Sequence, residues 1–429
     1  IKTEILEPVV HVSNNRSEFR IKGNSVLSNL RLANIQLLDA GGTANSNDVL
    51  GMFACIRNLY LYDGRNVLCS ARDFNRHQAF KTFLDSNTEN YAINRNNISN
   101  NIGYTSTIVN PALNIIGGAN NGKSNKEFFG RRTQVKNQFS DVLQTAATIG
   151  TLNAAALLNL KDVFGFLNRI PLLSPKVFKN GLRLVVEYSK STSEVCNMNN
   201  RPEAKLSQRS PVLIMDRIES KEVENALLSQ MGNFEYNEVE NDRFLVAATT
   251  AGTTTPTEQT LKGFSGKTVE RLRLNKNYAA IGNYFGADNT LTDKKGIFGS
   301  LAGFNEKYQI ILNGRPVAPE QDGFKGKNRG LALTTDTYGS LNVLENGQNH
   351  ALLGRAADGS LNKKISGKES FFGVYLGQKV NNLKVQYSRT GKTDGSPDSK
   401  YNSQLEVLVE AEVKKAFVMQ NGQYQIVYV

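Results

Sequence analysis

The chain has 429 residues, 39% hydrophobic and 21% charged, which is the balance of a folded globular protein and excludes a largely disordered chain. Its net charge of +12 favours an anionic partner such as nucleic acid or a lipid surface, although no long basic block concentrates it and an even spread over solvated surface would give the same total. Three cysteines exclude a disulfide framework and suit a reducing compartment. The sequence contains no run of about 18 apolar residues, so it predicts no membrane-spanning helix.

Strand-like alternation of apolar and polar residues dominates the chain. Residues 19–38 alternate at period two. Residues 51–64 predict a strand that ends in an Asp-Gly turn, where glycine accepts the positive φ of a tight hairpin. Residues 72–84 and 221–232 have apolar side chains at helical spacing, so they predict two short helices between strands.

Five short segments recur in the same order in the two halves of the sequence. The matched pairs are IKG (21–23) with LKG (261–263), DGRNV (63–67) with NGRPV (313–317), VFGFL (163–167) with FFGVYL (371–376), NGLRLVVEYSK (180–190) with NNLKVQYSR (381–389), and MGNFEYNEV (231–239) with NGQYQIVYV (421–429). Each match alone is weak, because short strand-turn pieces resemble one another by chance. The shared order predicts the internal duplication of one β-domain.

The spacing of these matches shows where the halves differ. Gly64 and Leu182 are 118 positions apart, whereas Gly314 and Leu383 are 69 positions apart. The first half therefore carries 49 additional residues, 118 minus 69. We place this insertion at about 86–130, a region rich in asparagine and glycine that predicts a long loop.

About eight short strands are predicted in each half, with short helices and long loops between them. No alternation of strands with longer helices occurs, which argues against a parallel sheet. The predicted fold is all-β, with two tandem eight-stranded jelly rolls (a double jelly roll). The stretch 247–260, rich in threonine, is the predicted linker between a first jelly roll at 19–246 and a second at 261–429.

One segment fits a nucleotide-binding motif letter for letter. GGANNGKS (117–124) matches the P-loop pattern, in which Lys123 would reach the phosphates and Ser124 would bind magnesium. The apolar strand PVLIMD (211–216) offers Asp216 as a further metal ligand. The context argues against this site, because no helix with an apolar face is predicted directly after the loop. A polar surface loop is the favoured interpretation, and a P-loop nucleotide-binding protein is the alternative.

Histidine and cysteine residues give little sign of a reactive centre. His11, His77 and His350 are far apart and not at metal-ligand spacing. Cys55 and Cys69 lie on predicted strands and are interpreted as small buried apolar residues. These residues predict no metal site.

Carboxylates that could act as an acid–base pair occur on a strand-like run. Glu235 and Glu238 lie in FEYNEVENDRF and are interpreted as solvent-facing. No nucleophile elbow or zinc-protease motif is present in the sequence. We therefore predict no catalytic, cofactor-binding or metal-binding residues, no small-molecule substrate, and no enzymatic activity.

Three segments resemble the double jelly-roll major capsid proteins of polinton-like viruses, virophages and related icosahedral DNA viruses. Residues 158–189 are similar to the family's strand, short helix and following strand in the first jelly roll. Residues 211–246 resemble its crossing from the first jelly roll to the second, and residues 405–429 resemble its closing strand pair. By the order of its elements the resemblance covers nearly the whole chain.

The resemblance implies a structural protein of the virion, assembled inside the host cell. Three copies would form a pseudo-hexagonal homotrimeric capsomer of an icosahedral shell, next to neighbouring capsomers, penton proteins and minor capsid proteins. The insertion at 86–130 would form an outer tower. Residues 1–18 would form an inner N-terminal arm, and a basic face could contact the genome or an inner membrane. A non-tiling β-sandwich protein, such as a minor capsid or adhesion protein, is a further alternative that the strand pattern leaves open.

Overall fold

A computed structural model describes both halves of the chain. The described residues are 1–35, 37–39, 55–78, 156–170, 172–174, 176–189, 206–208, 210–230, 232–278, 306–317, 324–325, 337, 372–391, 402, 404–420 and 423–429. The predicted loop insertion at 86–130, with the P-loop-like segment 117–124, lies outside these residues.

The first half folds into antiparallel strands. They are β1 (Lys2–Leu6), β2 (Val10–Val12), β3 (Arg16–Ile21), β4 (Val26–Ile35), β5 (Leu37–Asp39), β6 (Ile56–Asp63), β7 (Asn66–Ala71), β8 (Ala156–Asn159), β9 (Leu172–Leu173), β10 (Leu182–Tyr188), β11 (Leu206–Gln208) and β12 (Val212–Ile218). One sheet has the order β1-β12-β4-β8 with β9 beside β4, and the other has the order β2-β3-β10-β6-β7. Strands β5 and β11 form a separate pair.

The second half repeats this arrangement. Its strands are β13 (Phe234–Val246), β14 (Thr254–Thr260), β15 (Thr268–Tyr278), β16 (Glu306–Leu312), β17 (Arg315–Pro316), β18 (Phe324–Lys325), β19 (Phe372–Lys379), β20 (Leu383–Thr390), β21 (Leu405–Gln420) and β22 (Gln423–Tyr428). One sheet has the order β13-β21-β15-β19 with β22 beside β21, and the other has the order β14-β20-β16-β17 with β18 beside β16.

Eight strands of one half correspond in order to eight strands of the other. The order β1-β12-β4-β8 matches β13-β21-β15-β19, and the order β3-β10-β6-β7 matches β14-β20-β16-β17. Two four-stranded sheets connected in this order are the double-sheet arrangement of a jelly roll. The predicted fold class, two tandem eight-stranded jelly rolls, is confirmed.

Alternating side chains build one core inside each jelly roll. In β10, Leu182, Leu184 and Val186 point inward and are almost fully buried. In β20, the equivalent inward residues are Leu383 and Val385. Successive side chains on a strand point to opposite faces, so every second residue enters the core. The first core also receives side chains of the second half, which connects the two jelly rolls.

The hairpin that recurs in the sequence recurs in the structure. Gly64 has a φ of 60° in the turn between β6 and β7, and Asn313 and Gly314 have φ values of 51° and 83° between β16 and β17. The Asp63 carboxylate accepts a hydrogen bond from the backbone N–H of Asn180 at 2.9 Å. The Asn313 side-chain oxygen accepts the equivalent bond from Asn381 at 2.8 Å. In each jelly roll, this turn is therefore hydrogen-bonded to the turn that precedes β10 or β20.

Two of the five sequence matches are wrong. Residues 163–167 enter a helix, α1 (Gly165–Arg169), whereas Phe372–Lys379 form a strand, β19. Residues 231–239 contain the beginning of β13 and residues 421–429 contain β22, and both strands pair with β21 in the same sheet. Short strand-like strings carry too little information to distinguish these cases, because many strands share the same alternation.

The structure also differs from the predicted domain boundaries. Lys2–Leu6, predicted to lie in an arm at 1–18, pair with β12 as the first strand of the first jelly roll. Phe234–Val246, predicted to lie within the first jelly roll at 19–246, open the second by pairing with β21. Thr254–Thr260, predicted to be linker, pair with β20. Each of these segments is partly exposed, so its apolar and polar residues alternate only weakly. Because its partner strand is also distant in sequence, the sequence alone gives little sign of the strand.

A second helix, α2 (Lys221–Gln230), joins β12 to β13 and confirms the helix predicted at 221–232. Residues 74–78 are also helical, within the helix predicted at 72–84. In the described part of the chain, no helix is long and apolar enough to cross a membrane.

Candidate functional site: the seam between the two jelly rolls

The two jelly rolls meet along β21, and we call this contact the seam. On the inner face of β21, Val407, Val409 and Ala411 belong to the second core. On its outer face, Leu408 and Glu410 are each only 2% exposed. Both faces of this part of the strand are therefore buried, as expected of a strand covered on both sides.

Aromatic side chains from both halves pack at one end of the seam. Phe166 from the first jelly roll lies 5.6 Å from Tyr236 of β13 and 5.8 Å from Phe417 of β21, measured between ring centroids. Phe417 stacks on Phe234 at 5.0 Å and on Tyr424 at 5.4 Å. Such aromatic contacts bury large apolar areas, so this cluster contributes strongly to holding the halves together.

The backbones of the two halves come into close contact beside this cluster. Gly165 begins α1, and a Cβ atom at this position would lie 1.8 Å from the carbonyl oxygen of Asn237 on β13. No side chain fits in that space. The glycine thus permits the close approach of the first jelly roll to the second.

A buried carboxylate–lysine cluster lies further along the seam. The Lys415 Nζ atom lies 2.5 Å from Glu238 Oε2 and 2.9 Å from Glu240 Oε1. From the first jelly roll, the backbone N–H of Ser70 donates to Glu238 Oε1 at 3.0 Å. Lys267 Nζ lies 2.5 Å from Glu240 Oε2. The cluster is therefore a charge-paired contact that includes the backbone of β7.

The pKa values of this cluster follow from burial and from its charges. Burial raises the pKa of Glu238, and the nearby Lys415 only partly offsets this. Burial acts in the same direction on Glu240, but Lys415 and Lys267 together lower its pKa. Burial disfavours the charged form of Lys415, yet the two carboxylates raise its pKa. The lysine thus stays charged in the seam.

A second charged cluster joins the helical turn at 74–78 to the second jelly roll. Arg273 Nε lies 2.5 Å from Glu410 Oε2, and His77 Nδ1 lies 3.3 Å from Glu410 Oε1. Arg273 also contacts His77. Arg76 Nη1 lies 2.6 Å from Glu406 Oε1. Although burial alone would raise it, Arg273 and His77 lower the pKa of Glu410 to about 2.

A third charged contact involves Asp73, which lies just before the helical turn at 74–78. The buried Asp73 carboxylate lies 2.7 Å from Arg243 of β13 and 3.4 Å from Arg57 of β6. Arg243 therefore reaches from the second jelly roll to a carboxylate of the first. A guanidinium group suits this position because it can bind more than one acceptor in a fixed geometry.

The C-terminal strand adds one more bond across the seam. Tyr424 of β22 donates its hydroxyl hydrogen to Asp63 Oδ2 at 2.8 Å. Asp63 is fully buried, and the same carboxylate holds the turn at Asn180. The end of the second jelly roll is therefore bonded to the turn of the first.

The chemistry of the seam is that of a structural joint. A cavity of about 500 Å³ lies beside the Glu238–Lys415 cluster and is lined by strands of both halves. Cys69 lines it as a buried free thiol whose pKa is raised by burial, which opposes formation of the reactive thiolate. Within the described ranges, no group of three or more potential ligands is arranged to hold a metal ion.

The residues singled out by sequence are scattered. His11 hydrogen-bonds Ser17 on β3, and Cys55 is buried at the start of β6. Asp216 accepts hydrogen bonds from Thr3 and Asn29, and these bonds lower its pKa. The remaining candidates lie outside the described residues and are Lys123, Ser124, Cys196 and His350.

The sequence prediction for Glu238 is wrong. Glu235 is exposed, but Glu238 is buried and paired with Lys415. Its spacing of two from the buried Tyr236 places both on one face of β13, which was an available signal. What covers Glu238 and Glu410, namely Ser70 and His77, comes from the other jelly roll, so strand alternation alone does not identify these two carboxylates as seam residues.

The whole chain is similar to solved viral capsid structures. VP54 of PBCV-1, fitted as a crystal structure into a reconstruction of the virophage Sputnik, matches with a TM-score of 0.57 at 8% identity, over 100% of this chain and 97% of VP54. The mavirus major capsid protein matches with a TM-score of 0.52 at 10% identity, over 99% and 90%. The Faustovirus major capsid protein matches with a TM-score of 0.51 at 8% identity, over 98% and 90%.

No protein-family model and no curated protein matches the sequence. Identities this low show a common fold. The chain therefore has the double jelly-roll fold that is also found in these major capsid proteins.

Proposed function

We propose that this chain is the major capsid protein of an icosahedral virus, a structural protein of the virion shell. The observation that carries the proposal is the match of the complete double jelly roll, over nearly the full length of both chains, to three viral major capsid proteins. Under this proposal, the chain is a member of the double jelly-roll capsid lineage and catalyses no reaction.

The finer proposal is that three copies form a pseudo-hexagonal capsomer. A hexagonal tile needs six similar wedges, and each chain supplies two jelly rolls with the same strand order. Fusing two wedges halves the number of subunits that must assemble. The buried seam supports this proposal because a tile requires a fixed angle between its wedges, and the ion pairs that cross from one jelly roll to the other, Arg76 with Glu406 and Arg243 with Asp73, favour one arrangement over others.

The proposed partners are other copies of the same chain. Within the capsomer these are the two other subunits, and in the shell they are adjacent capsomers. Penton and minor capsid proteins would complete the shell, since hexagonal tiles alone cannot close an icosahedron. The first-half insertion at 86–130 is proposed to form a loop tower on the outer side.

The solution mass of the purified protein tests the trimer. Light scattering is expected to give about 142 kDa, three times the chain mass of 47.3 kDa. A stable monomer near 47.3 kDa at high concentration would contradict the capsomer and favour a non-tiling β-sandwich protein.

A further inference from the structure

The two ends of each jelly roll differ in their connections. In the first jelly roll, Ile21, Asp63 and Leu182 lie side by side, so the turns next to them are at one end of the strands. In the second, Leu312 lies beside Leu383, and Leu261 hydrogen-bonds Leu383, so the corresponding turns also share one end. We call this end the turn end.

The turn ends of the two jelly rolls lie next to each other. Helix α2 leaves β12 at the turn end of the first jelly roll and leads into β13 at the turn end of the second. Gly165, in the segment 160–181 of the first turn end, touches Asn237 near the start of β13. The exposed residues of both ends can therefore act as one surface.

Exposed basic side chains are concentrated on these connections. The basic turn residues are Lys22, Arg65, Lys161, Arg169 and Lys179 in the first jelly roll and Lys262, Arg315 and Lys379 in the second. None of the ion pairs formed among the described residues includes any of these eight side chains. Their charges thus remain available to an outside partner.

Acidic residues only partly balance this surface. Asp162 is exposed on the same connection as Lys161, and Glu219 and Glu222 are exposed next to α2. Glu224 lies 3.0 Å from Lys176 and is neutralised by it. The basic turn residues therefore remain in excess, and a polyanion is the complementary partner.

We propose that the basic turn residues bind nucleic acid through its phosphate backbone, without reading base sequence. The phenylalanine side chains of these connections point inward, since Phe166, Phe178 and Phe264 are at most 2% exposed, and the exposed apolar residues nearest to them, Val67 and Val429, lie outside the connections on β7 and at the C-terminus. A membrane-binding surface would present apolar or aromatic groups to the lipid. Exposed asparagines such as Asn381 and Asn382 add donors that suit phosphate oxygens. That this surface faces the packaged genome rests on the proposed capsid function.

Paired substitutions in each jelly roll test the proposal. The first variant is Arg65→Ala with Lys179→Ala, and the second is Lys262→Ala with Arg315→Ala. A control variant, Arg16→Ala with Lys307→Ala, removes two positive charges near the opposite ends of the strands. Circular dichroism confirms that each variant is folded. Binding of a short fluorescent duplex DNA is then measured by anisotropy between about 50 and 200 mM NaCl.

Each turn-end pair is expected to weaken DNA binding roughly tenfold or more at about 0.1 M salt and to make the salt dependence shallower by about two ions. The control is expected to stay within about twofold of the unmodified protein. Equal binding by all three variants would overturn the proposal, as would binding to phosphatidylserine vesicles without binding to DNA. A trimer that fails to bind DNA overturns only this inference, and a monomer that binds it overturns only the capsomer.

Discussion

The first strands of the two jelly rolls show how one topology serves two environments. β1 has five residues and lies at a sheet edge with Ile5 65% exposed. Its counterpart β13 has thirteen residues, pairs along its length with β21, and buries Glu238 and Tyr236 against the first jelly roll. Both copies thus share the same strand order, and the longer strands of the second jelly roll provide the residues of the seam that hold it against the first.

The largest expected effect comes from breaking a buried pair in the seam. Glu410→Gln leaves the Arg273 guanidinium buried without its carboxylate, which is expected to lower the free energy of unfolding by about 3–5 kcal/mol. Urea denaturation followed by circular dichroism measures this change. The matched control is Glu258→Gln, which breaks an exposed pair with Lys384 and is expected to leave the free energy of unfolding nearly unchanged, because solvent screens this pair. Equal losses in the two variants would show that the seam is no more sensitive than the surface.

Acidic pH is expected to remove the stability that the ionised Glu410 carboxylate contributes. The pKa of Glu410 is lowered from 4.5 to about 2, so its ionised form is favoured by folding. The stability difference between the unmodified protein and Glu410→Gln is therefore expected to be full above pH 4.5 and to decline as the pH falls towards 2. Denaturation of both proteins across this range provides the measurement. A difference that grows on acidification would contradict the assigned charge pairing.

The next effect tests the close approach at Gly165. The Cβ of Gly165→Ala would overlap the Asn237 carbonyl, so the variant is expected to lose about 1–3 kcal/mol of unfolding free energy as the seam opens. Gly232→Ala, where an added Cβ meets nothing within 4 Å, is the control. If both variants were equally stable, the two backbones would not be in contact at this point.

An effect of similar size is expected at the C-terminal strand. Tyr424→Phe removes the hydroxyl that donates to Asp63 and is expected to cost about 1.5–3 kcal/mol, because the acceptor is a buried charged group. The equivalent turn of the second jelly roll uses the exposed side chain of Asn313, so Asn313→Gly, which keeps the positive φ and lets water replace the lost partners, is expected to cost only about 1 kcal/mol. Thermal and urea unfolding of the two variants compare the turns directly. A larger loss at Asn313 would reverse the assigned importance of the two turns.

The sequence was sufficient for the parts of the fold that depend on local patterns. The hairpins at Gly64 and Gly314 and the inner strands that begin at Leu182 and Leu383 were recognised because turn residues and alternation are local signals. The first strand was missed because β1 is short and exposed, with little apolar pattern to detect.

The seam was less predictable than the fold. A charged residue on an alternating strand normally faces solvent, which is why Glu238 was assigned there. Its burial depends on Ser70 and Lys415, which are 168 and 177 positions away in sequence. The pairing of β13 with β21 brings Lys415 to Glu238, and the packing of the first jelly roll on the second brings Ser70.

Electron microscopy of the purified protein shows directly whether three chains form one capsomer. We expect particles viewed along their axis to have a hexagonal outline and six jelly-roll lobes, because three chains each contribute two wedges held at a fixed angle by the seam. Averages that show two-lobed single chains, or lobes at variable angles to each other, would contradict the account.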